Sequence, residues 1–423
     1  MNRSMRHRHV RATMVAAVPG LVAMATLLSG AALAGTAPQR TSVQASSANP
    51  PSLPATGRMI QRFTAANMLG SFHGSQTDAV SLAKAYDVMS ATAGQFKGYL
   101  PAMRAANPKL IMLVYMNGSL SQHSQGNAYP ATWYLYSSSG KKITSVAYGN
   151  YLMDPANAGW IATRTQLCAE LIKAGEFDGC FVDMLGIAPL SPGYLTALPV
   201  DPATHHIYTK TAYTKATARL GAAVATVVSP KFVLGNGVSS GTRYFDPVAP
   251  SSQLLAGMSG GSGEAWLKAP GASAVSYPAI NIWQQNVNAL VDAGNNGHSV
   301  AAITKTWGAG TAAQVNAWHV FALASFLLGT NGHSYFSFTP SNSQAGIVYD
   351  TPWEHANVGQ PTGAYTKNAN GSYQRLFTTG EAIVNPTTAT VTAKLPRAMC
   401  DLGRVSRTSI TLGAHGAGVL TNC

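Results

Sequence analysis

Acidic residues are scarce: 15 Asp and Glu stand among 423 residues, against 28 Lys and Arg. The formal charge of +13 therefore reflects missing carboxylates more than abundant cations. The basic residues are scattered singly, and no block of them exceeds Lys141-Lys142. A nucleic-acid binder concentrates such residues on one helix or stripe, so nucleic acid is not expected as a partner. No Gly-x-Gly-x-x-Gly follows the first candidate strand, which argues against dinucleotide binding. His-Glu-x-x-His is absent, and His205-His206 has no acidic neighbour beyond Asp201. No metal and no cofactor is expected.

Long apolar runs are also missing. Met14 to Leu28 is the best candidate, and Pro19 and Gly20 interrupt it; it is too short to span a bilayer. Arg3, Arg6, Arg8 and Arg11 precede it, and Ala32-Leu33-Ala34 follows as a small-x-small cleavage site. Residues 1–34 thus read as a signal peptide of the general secretory type, and the mature chain carries about +9. The expected product is secreted, monomeric and free of the membrane. Only four cysteines occur. Neither Cys168/Cys180 nor Cys400/Cys423 has zinc-site spacing. In an exported chain these two local pairs are the expected disulfides, out of three possible connectivities.

Residues 35–57 are rich in Ser, Ala, Pro and Thr and read as a disordered linker. Beyond it, short apolar runs alternate with helical patterns. Candidate strands are Met59–Thr64, Tyr86–Met89, Lys109–Tyr115, Gly179–Asp183, Lys231–Gly235, Leu254–Met258, Val300–Thr304 and Ser334–Phe338. Helical stretches fall at 77–85, 95–106, 156–175, 209–228, 281–294 and 311–329. Trp160, Ile161, Leu167, Leu171 and Ile172 share one helical face behind an Asn157 cap. Strands separated by helices imply parallel crossovers, and eight of them imply a closed barrel. The fold class is α/β: a (β/α)8 barrel over 58–345, a connecting loop over 346–371, and a small antiparallel β-domain over 372–423. An open doubly wound sheet is the alternative.

With so few carboxylates each can be weighed as a catalyst, because chemistry in such a barrel sits at the C-terminal strand ends. Glu170 and Glu176 lie at the wrong end; Asp78 and Asp292 sit in helical patterns; Glu381 and Asp401 belong to the tail. Asp201 and Asp246 precede Pro and mark turns, and Asp87 opens a strand. Asp350 and Glu354, after the last strand, stay in play. Asp183 closes the run Phe177-Asp-Gly-Cys-Phe-Val-Asp183, and Glu264 ends a Gly-Gly-Ser-Gly segment before Trp266. Asp154 precedes a helix and suits a capping role first and substrate contact second. Glycosidic cleavage needs two carboxyl groups in different environments, one to protonate the leaving oxygen and one to attack or to activate water. Asp183 on its strand suits the ionised role, and Glu264 the protonated one. Tyr115, Trp133, Trp266, Trp307 and Trp353 offer faces for sugar rings, and Asn117 and Asn236 offer amides for hydroxyls. A polysaccharide or oligosaccharide is the expected partner.

Tyr151-Leu-Met-Asp-Pro155, the helix carrying Trp160, and the run ending at Asp183 resemble secreted bacterial hypothetical glycosyl hydrolases, distantly similar to polygalactosaminidase-like enzymes. Lys109-Leu-Ile-Met-Leu-Val-Tyr115-Met-Asn117 and Tyr373-Gln-Arg-Leu-Phe377 fit the same pattern. The resemblance implies a (β/α)8 barrel, a C-terminal β-domain and polysaccharide cleavage. It maps a strand-end acid onto Asp183 and a later one onto Glu264, whose Gly-Ser-rich lead-in departs from the pattern.

Two rivals remain. Gly237-Val-Ser239-Ser-Gly241 and Gly257-Met-Ser259-Gly-Gly261 match the serine-esterase motif, with Asp292 and His298 or His333 in a permissible order. A barrel that binds carbohydrate without cleaving it is the other.

Overall fold

The computed structural model describes residues 51–175, 177–308 and 310–423. The expected signal peptide, the linker up to residue 50, and Glu176 lie outside the described residues.

Eight parallel strands close into a barrel: β1 (Gln61–Thr64), β2 (Val88–Ala91), β3 (Ile111–Asn117), β4 (Gly179–Asp183), β5 (Phe232–Asn236), β6 (Gly260–Gly263), β7 (Ser299–Lys305) and β8 (Tyr335–Thr339). Each pairs with its sequence neighbours, and β8 returns to β1. The intervening helices are α1 (Gln76–Ala85), α2 (Leu100–Ala106), α3 (Ala158–Lys173), α4 (Lys210–Val228), a short α5 (Gly241–Tyr244), α6 (Ile280–Asn295), α7 (Ala312–Gly329) and a short α8 (Gln344–Ile347). The Asn157 side chain caps α3, accepting from the backbone of Gly159 and Trp160.

Seven strands fall where apolar patterning places them, and the sixth does not. Leu254 and Leu255 belong to a 3₁₀ segment, Ser251–Gly257, and bury against the outside of the barrel. The strand is the Gly-Gly-Ser-Gly that follows. A side chain at Gly260 would lie 2.4 Å from the Ser299 carbonyl, and one at Gly261 would lie 2.5 Å from Val238. Close packing therefore demands glycine at a position where hydrophobic periodicity gives no signal.

Alternate strand residues point inward. Leu53, Phe63, Leu113, Phe181, Leu234, Ile303 and Tyr335 fill the interior, with Phe63 and Phe181 stacked at 5.9 Å. Leu53 corrects the expected linker boundary: it is 1% exposed, and the Pro54 carbonyl accepts the Tyr335 hydroxyl at 2.8 Å. The segment before β1 thus packs against the N-terminal end of the barrel. Cys168 on α3 is bonded to Cys180 on β4, and Cys400 to Cys423. Such bonds persist in oxidising compartments.

The tail forms a six-stranded antiparallel sheet from β9 (Thr366–Lys367), β10 (Tyr373–Leu376), β11 (Gly380–Val384), β12 (Val391–Cys400), β13 (Ser406–Leu412) and β14 (Ala417–Thr421), in the order β9-β10-β11-β14-β12-β13. Helix α7 is long and apolar enough to cross a membrane by composition. Here it is buried between barrel and sheet, where Phe321, Leu323, Phe326, Leu327 and Leu328 are at most 1% exposed. Each such side chain contributes about 2 kcal/mol through burial. Arg375 on β10 reaches across to the C-terminus of α7. Its guanidinium donates to the carbonyls of Leu327 (3.1 Å), Leu328 (3.0 Å) and Thr330, groups that the helix leaves without partners.

Candidate active site

The C-terminal ends of β3 to β7 converge on one mouth. Register pairs Asn117 with Asp183, Asn236 with Ser262, and Lys305 with Thr339, so Tyr115, Asp183, Asn236, Glu264 and Lys305 come from five neighbouring strands or their first loop residue. Asp183 receives three donors. The Tyr115 hydroxyl donates to Oδ2 at 2.7 Å, while Asn236 Nδ2 at 2.8 Å and the Met184 backbone N–H at 2.7 Å donate to Oδ1. Burial raises the Asp183 carboxyl above the ordinary aspartate range, and the nearby charge of Glu264 adds to the rise; the three donors oppose it. Burial also raises the Tyr115 phenol well above its usual value, with Asp183 contributing next, so its hydroxyl stays a donor.

The backbone around Asp183 leaves little freedom. Gly118 donates its N–H to the Asp183 carbonyl at 2.8 Å, and a side chain there would meet that carbonyl at 2.9 Å. Met184 has φ 61°, and Ser239, whose carbonyl accepts the Ala265 N–H next to Glu264, has φ 65°. Left-handed backbone at non-glycine residues costs free energy and concentrates at functional sites. Here it occurs beside each candidate carboxylate.

Glu264 follows β6 directly, with its side chain 37% exposed, and Lys305 Nζ stands 3.4 Å from its Oε2. The Lys305 side chain is only 5% exposed, and its ammonium also faces the Trp307 ring at 4.9 Å. Patterning missed Lys305, because a single cation at a strand end looks like any other scattered charge. Tyr194 was missed too. Its hydroxyl reaches the Met184 sulfur at 3.3 Å, and burial, then the Asp183 charge, raises its phenol. Tyr148, whose phenol acts on Tyr194, is 69% exposed.

Most of the other carboxylates among the described residues are paired away from the mouth. Asp350 pairs with Arg62 and His355, and Glu354 accepts from His319 at 3.0 Å beside α7, so neither faces the mouth. Asp87 pairs with Arg58, Asp178 with Arg104 at 2.9 Å, Asp246 with Arg243, and Asp401 with Arg407. Asp154 is 6% exposed; its Oδ1 accepts the Ala156 N–H and the Tyr208 hydroxyl, which makes it a loop-bracing group and corrects its expected contact with substrate.

Several expected sugar contacts move. Trp266 is 1% exposed, donates Nε1 to the Asn286 carbonyl at 2.8 Å and meets Phe326 edge-on. It is a core residue, because β6 ends three residues earlier and its ring is buried beneath the helices. Trp353 packs against the cluster around α7. Trp133 stacks on Tyr129 at 5.7 Å. Asn117 turns its Oδ1 to the backbone N–H groups of Ser119 and Leu120. Trp307 stays half-buried beside Lys305.

The esterase constellation does not form. Ser259 is buried and its Oγ accepts the Val233 N–H. Ser239 follows β5 at the mouth, but His298 and His333 precede β7 and β8 at the opposite end, and Asp292 accepts the Tyr244 hydroxyl at 2.7 Å.

Residues 104–381, from within α2 into β11, match hypothetical glycosyl hydrolase family 15. The chain belongs to that family. Membership places this family 15 protein among the glycosyl hydrolases. No curated protein matches it by sequence. Among solved structures, Amy13B of Eubacterium rectale is similar over 89% of this chain and 97% of its own, at 10% identity and a TM-score of 0.51. A GH31 dextranase of Flavobacterium johnsoniae complexed with glucose is similar over 88% and 52%, at 11% identity and 0.49. The glycoside hydrolase domain of PelA from Pseudomonas aeruginosa is similar over 69% and 98%, at 14% identity and 0.44. At such identities the likeness to Amy13B concerns the fold alone.

Proposed function

We propose that the protein is an exported, monomeric hydrolase of O-glycosidic bonds in a polysaccharide or oligosaccharide, working through Asp183 and Glu264. The observation that carries this reading is the Asp183 carboxyl, fixed by three donors at a barrel mouth where Glu264 is the other carboxylate whose charge reaches it. Donors on both oxygens favour the carboxylate form and aim it, which suits the group that attacks the anomeric carbon or activates water. Glu264 is more exposed and lies at the start of a loop, within reach of a leaving-group oxygen. Burial is the larger cause that raises the Asp183 carboxyl and the Glu264 charge the smaller, while the three donors pull it back towards the carboxylate form. Lys305, 3.4 Å from Glu264 Oε2, stands ready to stabilise the carboxylate that the acid step leaves there. The chemistry asks for no metal or cofactor. Tyr148, Tyr194 and Trp307 are the aromatic faces best placed to carry sugar rings, and Asn236 joins them as a polar contact.

The test is release of reducing ends from a panel of plant, fungal and bacterial glycans by the purified mature protein. Turnover on at least one polymer supports the reading. Tight binding to a polymer with no cleavage at any pH from 4 to 8 (roughly the range of glycosidase working pH) returns it to a carbohydrate-binding barrel.

A further inference from the structure

A cavity of about 570 Å³ adjoins the mouth. Tyr115 and Asn117 at the end of β3 line one side, Ser121 and Gln125 of the following loop a second, and Tyr129 and Arg164 a third. Tyr115 is the residue whose hydroxyl holds Asp183, so the cavity and the catalytic mouth share a wall.

Arg164 is unusual in this wall. It is 9% exposed, lies on the buried side of α3, and stacks its guanidinium over the Trp160 ring at 4.1 Å. Among the described residues no carboxylate lies within ion-pair distance of it, and its Nε–H is buried with no acceptor. Burial pulls the guanidinium below its ordinary value, and a hydrogen bond with the Tyr129 side chain opposes that. Glu170 also lines the cavity, but it is exposed at the rim and accepts from Gln166 at 2.8 Å. On the facing loop Ser121 is 2% exposed, and its Oγ likewise has no partner. Buried cations are ordinarily paired and buried hydroxyls bonded. Those two atoms, Arg164 Nε and Ser121 Oγ, are closed off from the cavity, so it is the guanidinium charge of Arg164, with no carboxylate to balance it, that makes this wall complementary to an anion.

We infer that this cavity binds a carboxylate borne by the glycan, so that the substrate class is an acidic polysaccharide with a uronic acid beside the scissile bond. This rests on the glycosidase reading above. The guanidinium fork offers paired N–H donors to a planar carboxylate. The excess of cations over acids in the chain favours the same class.

Binding of glucuronic acid and of glucose, followed by protein-observed NMR on the full mature chain, tests the site without hydrolysis. Wild type binds glucuronic acid at least ten-fold more tightly than glucose; Arg164→Gln abolishes the preference, and Arg164→Lys keeps part of it. Should Arg164→Gln fail to fold, wild type and the conservative Arg164→Lys still decide. Equal binding of the two sugars by wild type overturns the inference, as does a preference that survives Arg164→Gln. Cleavage of neutral glycans with equal binding would sink the acidic class and leave the hydrolase reading intact. Arg164-dependent glucuronic acid binding with no cleavage of any glycan would uphold the site and sink the hydrolase reading.

Discussion

The Tyr115 hydroxyl donates to Asp183 Oδ2 at 2.7 Å, from one strand of the barrel to the next. Burial keeps that phenol protonated, so it holds the carboxylate as a fixed donor at any working pH. Tyr115→Phe removes a donor that lowers the Asp183 pKa. The acidic limb of the pH–rate profile then moves to higher pH, because a larger fraction of Asp183 carries a proton at each pH. The kcat falls by about a hundred-fold, the usual size for one oriented donor at a reacting group. A profile with an unmoved acidic limb would show that Asp183 does not act as the ionised group.

Lys305 gives a second handle. Its ammonium is nearly buried and has Glu264 as its ion-pair partner. Lys305→Met lowers kcat/KM by about ten- to a hundred-fold, equivalent to roughly 1.4–2.7 kcal/mol of transition-state stabilisation. Lys305→Arg recovers part of it. Stopped assays at saturating and limiting substrate separate this from a simple loss of affinity, which would raise KM alone.

Glu381 makes stability fall as pH rises. It is fully buried in β11 with neither oxygen bonded, and burial pushes its carboxyl up to about 7, against a smaller opposing pull from Arg397. Between its ordinary value of 4.5 and about 7 the folded state binds more protons than the unfolded chain. Its contribution is therefore fully present below the ordinary value and is lost as pH rises through the folded one, on the order of 3 kcal/mol in all. Denaturant melts between pH 5 and 8 show this slope, and Glu381→Gln flattens it. A slope equal in both proteins would place the titration elsewhere.

Arg375 ties the tail sheet to the barrel through carbonyls at the end of α7. Arg375→Met leaves those carbonyls buried and unpaired, at about 3 kcal/mol. Thermal melts should show a Tm several degrees lower with glycan binding at the mouth unchanged. An unaltered Tm would show that water takes over the cap.

The barrel was legible because seven strands are apolar runs bounded by turns, and because Asp183 ends one of them. The parts that were not legible share one cause. β6 is Gly-Gly-Ser-Gly, a strand selected by close approach to Ser299 and Val238 and not by hydrophobicity. Placing that strand five to six residues early put Glu264 well past its end and offered the Trp266 ring to a sugar. With β6 in register, Glu264 sits at the strand end and Trp266 goes into the core. Lys305, Tyr194 and Arg164 carry no sequence signal of their own. Their meaning comes from what three-dimensional packing places, or fails to place, beside them.

The most direct test of the central claim is the hydrolysis rate of Asp183→Asn and Glu264→Gln beside wild type on the best substrate of the glycan panel. Both changes keep side-chain size and remove only the ionisable oxygen. Each should lower kcat by several orders of magnitude with the Tm held close to that of wild type. Near-normal turnover by the folded Asp183→Asn protein would contradict the account.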